Sequence, residues 1–139
     1  MESGKILDGQ ISASSQHDDN HAANRGRLRL NANGKLRGAW SAGNNDAHHW
    51  LQVYLSCESF IITGVATQGR NDCCPQWVTR YNLQYADDKK NFQYYREQGG
   101  SIKVTRITPD TSRTYFVSRF YFKAAVILNN KAYYRLSSL

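Results

Sequence analysis

Two imidazoles and two carboxylates crowd into five positions of this chain, His17, Asp18, Asp19 and His21, inside the polar run Gln16-His17-Asp18-Asp19-Asn20-His21. Side chains of these types can share a transition-metal ion, and Asp18, Asp19 and Asn20 with main-chain carbonyls suit calcium, which prefers oxygen ligands. Close spacing alone makes neither site, so the expectation is no cofactor, with calcium at those three residues as the alternative. Asp18 and Asp19 do not qualify as an acid/base pair, because neighbours on an extended chain point to opposite sides and nothing nearby marks a nucleophile. Catalysis is not expected.

A second chemical cluster is Arg70-Asn71-Asp72-Cys73-Cys74-Pro75-Gln76, followed directly by Trp77. Its charged and amide groups can bond hydroxyls in fixed directions, and an indole can lie on the apolar face of a sugar. The three cysteines, Cys57, Cys73 and Cys74, are an odd number, so at least one thiol is free or pairs outside the chain. Adjacent cysteines rarely bridge, which leaves a disulfide from Cys57 to one of the pair open. Neither C-x-x-C spacing nor a matching histidine pair favours a metal. His48 and His49, just ahead of an apolar run, fit a structural role. Arg25, Arg27 and Arg29 would share one face if their segment were a strand.

The elements that position these groups are short. Residues 50–55 (WLQVYL) and 60–67 (FIITGVAT) are β-branched or aromatic and bounded by turn formers, as strands are. In residues 78–85 the alternation places Thr79, Tyr81, Leu83 and Tyr85 on one face, expected to be buried, and Val78, Arg80, Asn82 and Gln84 on the other, expected to be wet. A polar turn at 86–91 then leads into residues 92–96, which predicts an antiparallel hairpin. Residues 102–107, 115–117 and 120–128 are further strand candidates, and no stretch keeps helical spacing of its apolar positions. Many short strands with frequent turns predict an all-β sandwich or jelly roll. Residues 12–49 are mostly polar, and loops of that length are commonly functional.

Bulk properties agree. A chain of 139 residues, 40% hydrophobic and 12% aromatic with two prolines, makes one packed domain. No apolar run reaches the roughly 18 residues that span a bilayer, and the first twenty residues do not resemble a secretory signal. The net charge of +7 is uneven. Residues 1–88 carry eight Lys and Arg against nine acids, whereas residues 89–139 carry ten basic residues with only Glu97 and Asp110. Basicity therefore belongs to the C-terminal third, and with no recognisable nucleic-acid motif it does not argue for a nucleic-acid partner.

In order along the chain stand Met1-Glu2-Ser3-Gly4-Lys5-Ile6, Gln10-Ile11-Ser12-Ala13-Ser14-Ser15, Gly26-Arg27-Leu28, Gly38-Ala39-Trp40, Trp50-Leu51-Gln52-Val53, Thr63-Gly64-Val65-Ala66-Thr67-Gln68-Gly69-Arg70, Trp77-Val78 and Tyr81. This series resembles the discoidin domain, also called the coagulation factor V/VIII C-type domain, over about residues 1–98. The resemblance implies a single domain over residues 1–139, built as a distorted jelly-roll barrel or sandwich of about eight antiparallel strands (galactose-binding-domain-like). Loops at one end project as spikes that contact ligand, since strand ladders satisfy their own backbone and leave loops free to vary. On this pattern Trp40 and Trp50 are core residues and Arg27 joins an ion pair.

The first spike is then residues 16–21, the third residues 70–76, and Ser41 to Asn45 the loop between. The candidate ligand-binding residues are His17, Asp18, Asp19, Asn20, His21, Ser41, Asn45, Arg70, Asn71, Asp72, Gln76 and Trp77. Relatives that enter membranes place Trp, Phe or Leu at the spike tips; tips of His, Asp and Asn argue instead for a glycan or protein ligand, with anionic phospholipid as the second reading. The resemblance implies an extracellular or cell-surface adhesive module. The chain also departs from the family pattern. Tyr54 and Ser56 stand where aspartate and glycine are usual, an end-to-end disulfide is not expected, and residues 118–139, without a recognisable closing strand, are expected to supply at most one or two strands and to leave a barrel edge exposed. With Met1 inside a family motif, the chain is expected to be a fragment of a longer protein or an aberrant gene model.

Overall fold

The computed structural model describes residues 6–44, 48–55, 64–70, 72–74, 76–87, 90–96, 100–106, 118–121 and 133–138. Among these are eight strands, all paired antiparallel: β1 (Ile11–Ala13), β2 (Trp50–Tyr54), β3 (Gly64–Thr67), β4 (Arg80–Ala86), β5 (Gln93–Tyr94), β6 (Val104–Arg106), β7 (Ser118–Tyr121) and β8 (Tyr133–Ser138). The larger sheet runs β1-β2-β8-β4-β5 with β6 also on β4, and β3 pairs with β7 in a second sheet. The architecture is the all-β sandwich expected; the described strands do not close a barrel. Helical structure among the described residues is confined to three single 3-10 turns, Asp8–Gln10, Asp19–His21 and Ala23–Arg25. No helix among them is long and apolar enough to cross a membrane.

The hairpin forms as its alternation predicts, with Gln84 opposite Tyr94 and Tyr85 opposite Gln93. Its burial does not follow prediction. Tyr81 and Leu83 are buried, but so are Asn82 and Gln84 on the face expected to be wet. β4 is an inner strand with β8 on one side and β5 and β6 on the other, and it buries residues of both its faces, Tyr81 and Leu83 on one and Asn82 and Gln84 on the other. Buried amides demand hydrogen-bond partners, which makes this row costly unless the fold supplies them.

The C-terminal segment supplies two strands, β7 and β8, within the one or two expected of it. Tyr133–Ser138 lies between β2 and β4, paired along its length with both. The backbone register sets Leu136 between Leu51 and Leu83, and Arg135 between Gln52 and Gln84, with Ala13 opposite Leu51 and Ser12 opposite Gln52. Gln52 is buried together with Gln84. The apolar core includes Ile11, Tyr81 and Leu83. Expected strand residues 60–63, 115–117 and 122–128 lie outside the described residues, as do residues 1–5 and Cys57.

One contact fastens the N-terminal segment to this sheet, and a second ties it to the loop at residues 24–27. Gln10 accepts the Leu7 N–H at 2.8 Å and donates its amide to the Tyr54 oxygen at 2.8 Å, tying the first 3-10 turn to the end of β2. Arg27 forms the expected ion pair, with Asp8, and that guanidinium together with Asn24 holds the Asp8 carboxyl below its usual pKa. Arg27 is well covered while Asp8 is exposed, so the pair is half-buried rather than interior.

Candidate functional site: three loops joined at one end

The first loop is wrapped around its own carboxylate. Asp18 is extended and caps the turn Asp19–His21, its Oδ1 accepting the His21 main-chain N–H at 3.0 Å and lying 2.6 Å from His21 Nδ1. Those bonds stabilise the ionised form and lower the Asp18 pKa. His17 meets the His21 ring edge to face, centroids 5.3 Å apart. Asp19 accepts instead from Gln16 Nε2 at 3.2 Å. The two carboxylates therefore serve separate partners, and no three His, Cys, Asp or Glu side chains converge as a metal site among the described residues.

The second loop, residues 25–44, follows the first in the chain and lies beside it before β2. Arg25 donates to the main-chain oxygens of Arg37 (2.6 Å) and Asn31 (3.0 Å), closing the base of a tight turn whose ends, Asn33 and Leu36, exchange hydrogen bonds. Gly34, at φ 58, is the first central residue of that turn, where a two-residue hairpin needs a left-handed conformation. Lys35, Leu36 and Arg37 are all exposed there. Arg25, Arg27 and Arg29 do not share a strand face: Arg25 ends a 3-10 turn and Arg29 stands at φ 56. Arg25 is occupied in holding the backbone.

The third loop is clasped from inside. Arg70 donates through Nε and Nη2 to the Asp72 carboxylate and through Nη1 to Gln76 Oε1 at 3.1 Å, while its N–H bonds the Gln76 oxygen at 2.8 Å. The Arg70 and Asp72 side chains are 10% and 5% exposed, so this clasp is structural. Pairing with Arg70 lowers the Asp72 pKa to about 2. Cys73 and Cys74 stand exposed and unbridged beyond it, sulfurs 2.6 Å apart.

Bonds between loops make them one surface. His17 N–H reaches the Ser41 oxygen (2.8 Å), Arg37 N–H the Asn20 oxygen (3.0 Å), and Trp40 Nε1–H the Ser15 oxygen (2.9 Å). Gly43 N–H donates to Ser15 Oγ, Gly38 N–H to Asp72 Oδ2, and Arg29 N–H to Gln68 Oε1. Of the expected ligand residues, His17, Asp18, Asp19 and Gln76 are exposed on this surface and Asn20, Ser41 and Trp77 half-buried. His21, Arg70 and Asp72 face inward and shape the loops. Asn45 and Asn71 lie outside the described residues. Trp40 and Trp50 are half-buried rather than core.

Sequence reasoning missed the turn at residues 33–36, although Asn33-Gly34 is a strong hairpin signal. With it was missed Leu36, an exposed apolar residue at the end of that turn among basic neighbours.

Comparison with known proteins agrees with this architecture. Residues 10–125 match the F5/8 type C domain family. Retinoschisin of Mus musculus is 35% identical over 120 residues, 82% of this chain and 51% of that protein. The EGF-like repeat and discoidin I-like domain-containing protein 3 of Homo sapiens is 37% identical over 103 residues, 70% of this chain and 21% of its own length. Lactadherin of Mus musculus is 36% identical over 106 residues, 73% of this chain and 22% of that protein. The chain thus belongs to the F5/8 type C, or discoidin, domain family, and it spans about half or less of these relatives. Discoidin II from Dictyostelium discoideum superposes with a TM-score of 0.69 over 93% of this chain and 54% of that one, at 20% identity, a likeness of fold.

Proposed function

We propose that this chain is a non-catalytic binding module of a cell-surface or matrix adhesive protein, acting outside the cell and recognising a glycan or protein through the three joined loops. The observation that carries the reading is the cross-bonding itself. Loops tied to one another and to β1 present His17, Asp19 and Gln76 in fixed directions, so little ordering entropy is spent on binding. A glycan array with the purified domain tests it. Binding to a defined glycan class that drops at least tenfold in H17A, D19A and Q76A supports the reading; hits that survive all three substitutions would overturn it.

Leu36 favours a second reading, peripheral attachment to anionic phospholipid. Its side chain is 43% exposed on a turn flanked by Lys35 and Arg37, an apolar group that can enter a bilayer between two cations that can meet headgroup phosphates. Sedimentation with phosphatidylserine vesicles separates the two. Retention lost in L36S and weakened by salt, with no glycan bound, would place lipid first.

A further inference from the structure

The tip of the third loop carries two thiols that neither binding reading uses. Cys73 and Cys74 are exposed, and their Sγ atoms lie 2.6 Å apart. The two sulfurs are thus adjacent, as an intramolecular exchange step requires. The backbone on either side is braced. Asp72 is locked to Arg70 and to the Gly38 N–H, and Gln76 N–H donates to the Cys74 oxygen at 2.7 Å. The pair therefore has its sulfurs side by side and open to reagents, next to the bonded Asp72.

We propose that Cys73 and Cys74 form a redox site, a dithiol that closes reversibly to a vicinal disulfide by exchange with small-molecule disulfides. One thiolate attacks the small disulfide and expels one thiol. The neighbouring thiolate then attacks the cysteine sulfur of the mixed disulfide and expels the second. Two S–H bonds and one external S–S bond become one internal S–S bond and two thiols; two electrons and the two protons pass to the small molecule. Adjacent Cα atoms lie about 3.8 Å apart, below the roughly 4.4–6.8 Å that disulfides usually span, so the ring is strained and readily reduced. It is a responsive bond rather than a staple, and closing it changes the tip from two hydrogen-bonding thiols to a rigid ring.

The test does not depend on the ligand readings. Trypsin cleaves after Arg37, Arg70 and Arg80, placing Cys57 on peptide 38–70 and the pair together on peptide 71–80. The full chain is equilibrated with oxidised glutathione, alkylated with iodoacetamide and digested without reductant. Peptide 71–80 is expected two hydrogen masses lighter than the dithiol and free of alkyl groups. Mild dithiothreitol should return both alkylation sites without changing the circular dichroism of the folded chain. Two alkyl groups before reduction, glutathione held as a stable adduct, or peptide 71–80 linked to peptide 38–70 through Cys57 would each overturn the proposal.

Discussion

The indole N–H of Trp40 donates to the main-chain oxygen of Ser15, at 2.9 Å and across 25 positions of sequence. This bond joins the second loop to the segment leaving β1, and the Gly43 N–H to Ser15 Oγ reinforces it from the same side. Trp40→Phe keeps an aromatic ring and removes the donor. The expected cost is about 0.5–1.5 kcal/mol, read as a lower urea midpoint with an unchanged m-value. An unchanged midpoint would show that the bond contributes nothing.

Asp72 makes stability depend on pH. Its folded pKa of about 2 lies below the ordinary 3.8, so its contribution is complete above about pH 4 and is lost as pH falls toward 2. The displacement corresponds to at most roughly 2 kcal/mol. Asp72→Asn should be less stable than wild type by that order at neutral pH, and the gap should close on acidification. Urea unfolding of both proteins between pH 6 and 2 checks the sign; a gap that stays constant would detach it from the Arg70 clasp.

Gly43 is required by closeness rather than by φ. A Cβ there would sit 2.7 Å from the main-chain oxygen of Gln16, a backbone atom that cannot swing aside. Gly43→Ala is expected to push the first and second loops apart and to cost about 1–3 kcal/mol, as overpacking does. At Gly9 a Cβ meets nothing within 4 Å, so Gly9→Ala serves as the control and should melt within a degree or so of wild type. Equal melting of both variants would disprove the contact.

The first loop should hold its shape without a cation. The Asp18 oxygen that faces the turn is engaged by His21, and Asp19 is engaged by Gln16. Differential scanning fluorimetry with calcium or with a chelator is expected to give the same melting temperature. A rise with calcium concentration would mean that an ion binds the folded form, and Asp18→Asn would then show whether this loop supplies it.

Much of this could be read from local pattern. The alternation of Tyr81, Leu83 and Tyr85, the polar turn after Ala86 and the aromatic return strand specify a hairpin without reference to anything distant. The ordered motifs through Tyr81 specify the family. The polar loops also announced themselves, because residues that cannot build a core have to lie at its ends.

What stayed hidden depends on partners far along the chain. Tyr133–Ser138 carries no local signal that marks it as central; only pairing with both β2 and β4 makes it an inner strand. Arg70 and Asp72 look the same in sequence whether they face a ligand or each other, and the choice falls to the Gly38 backbone and Gln76. Residue type and spacing thus determined strands, turns and family. The packing of remote segments decided which polar groups are buried as clasps and which are left for a partner, because a side chain's direction is set by the neighbours that compete for its hydrogen bonds.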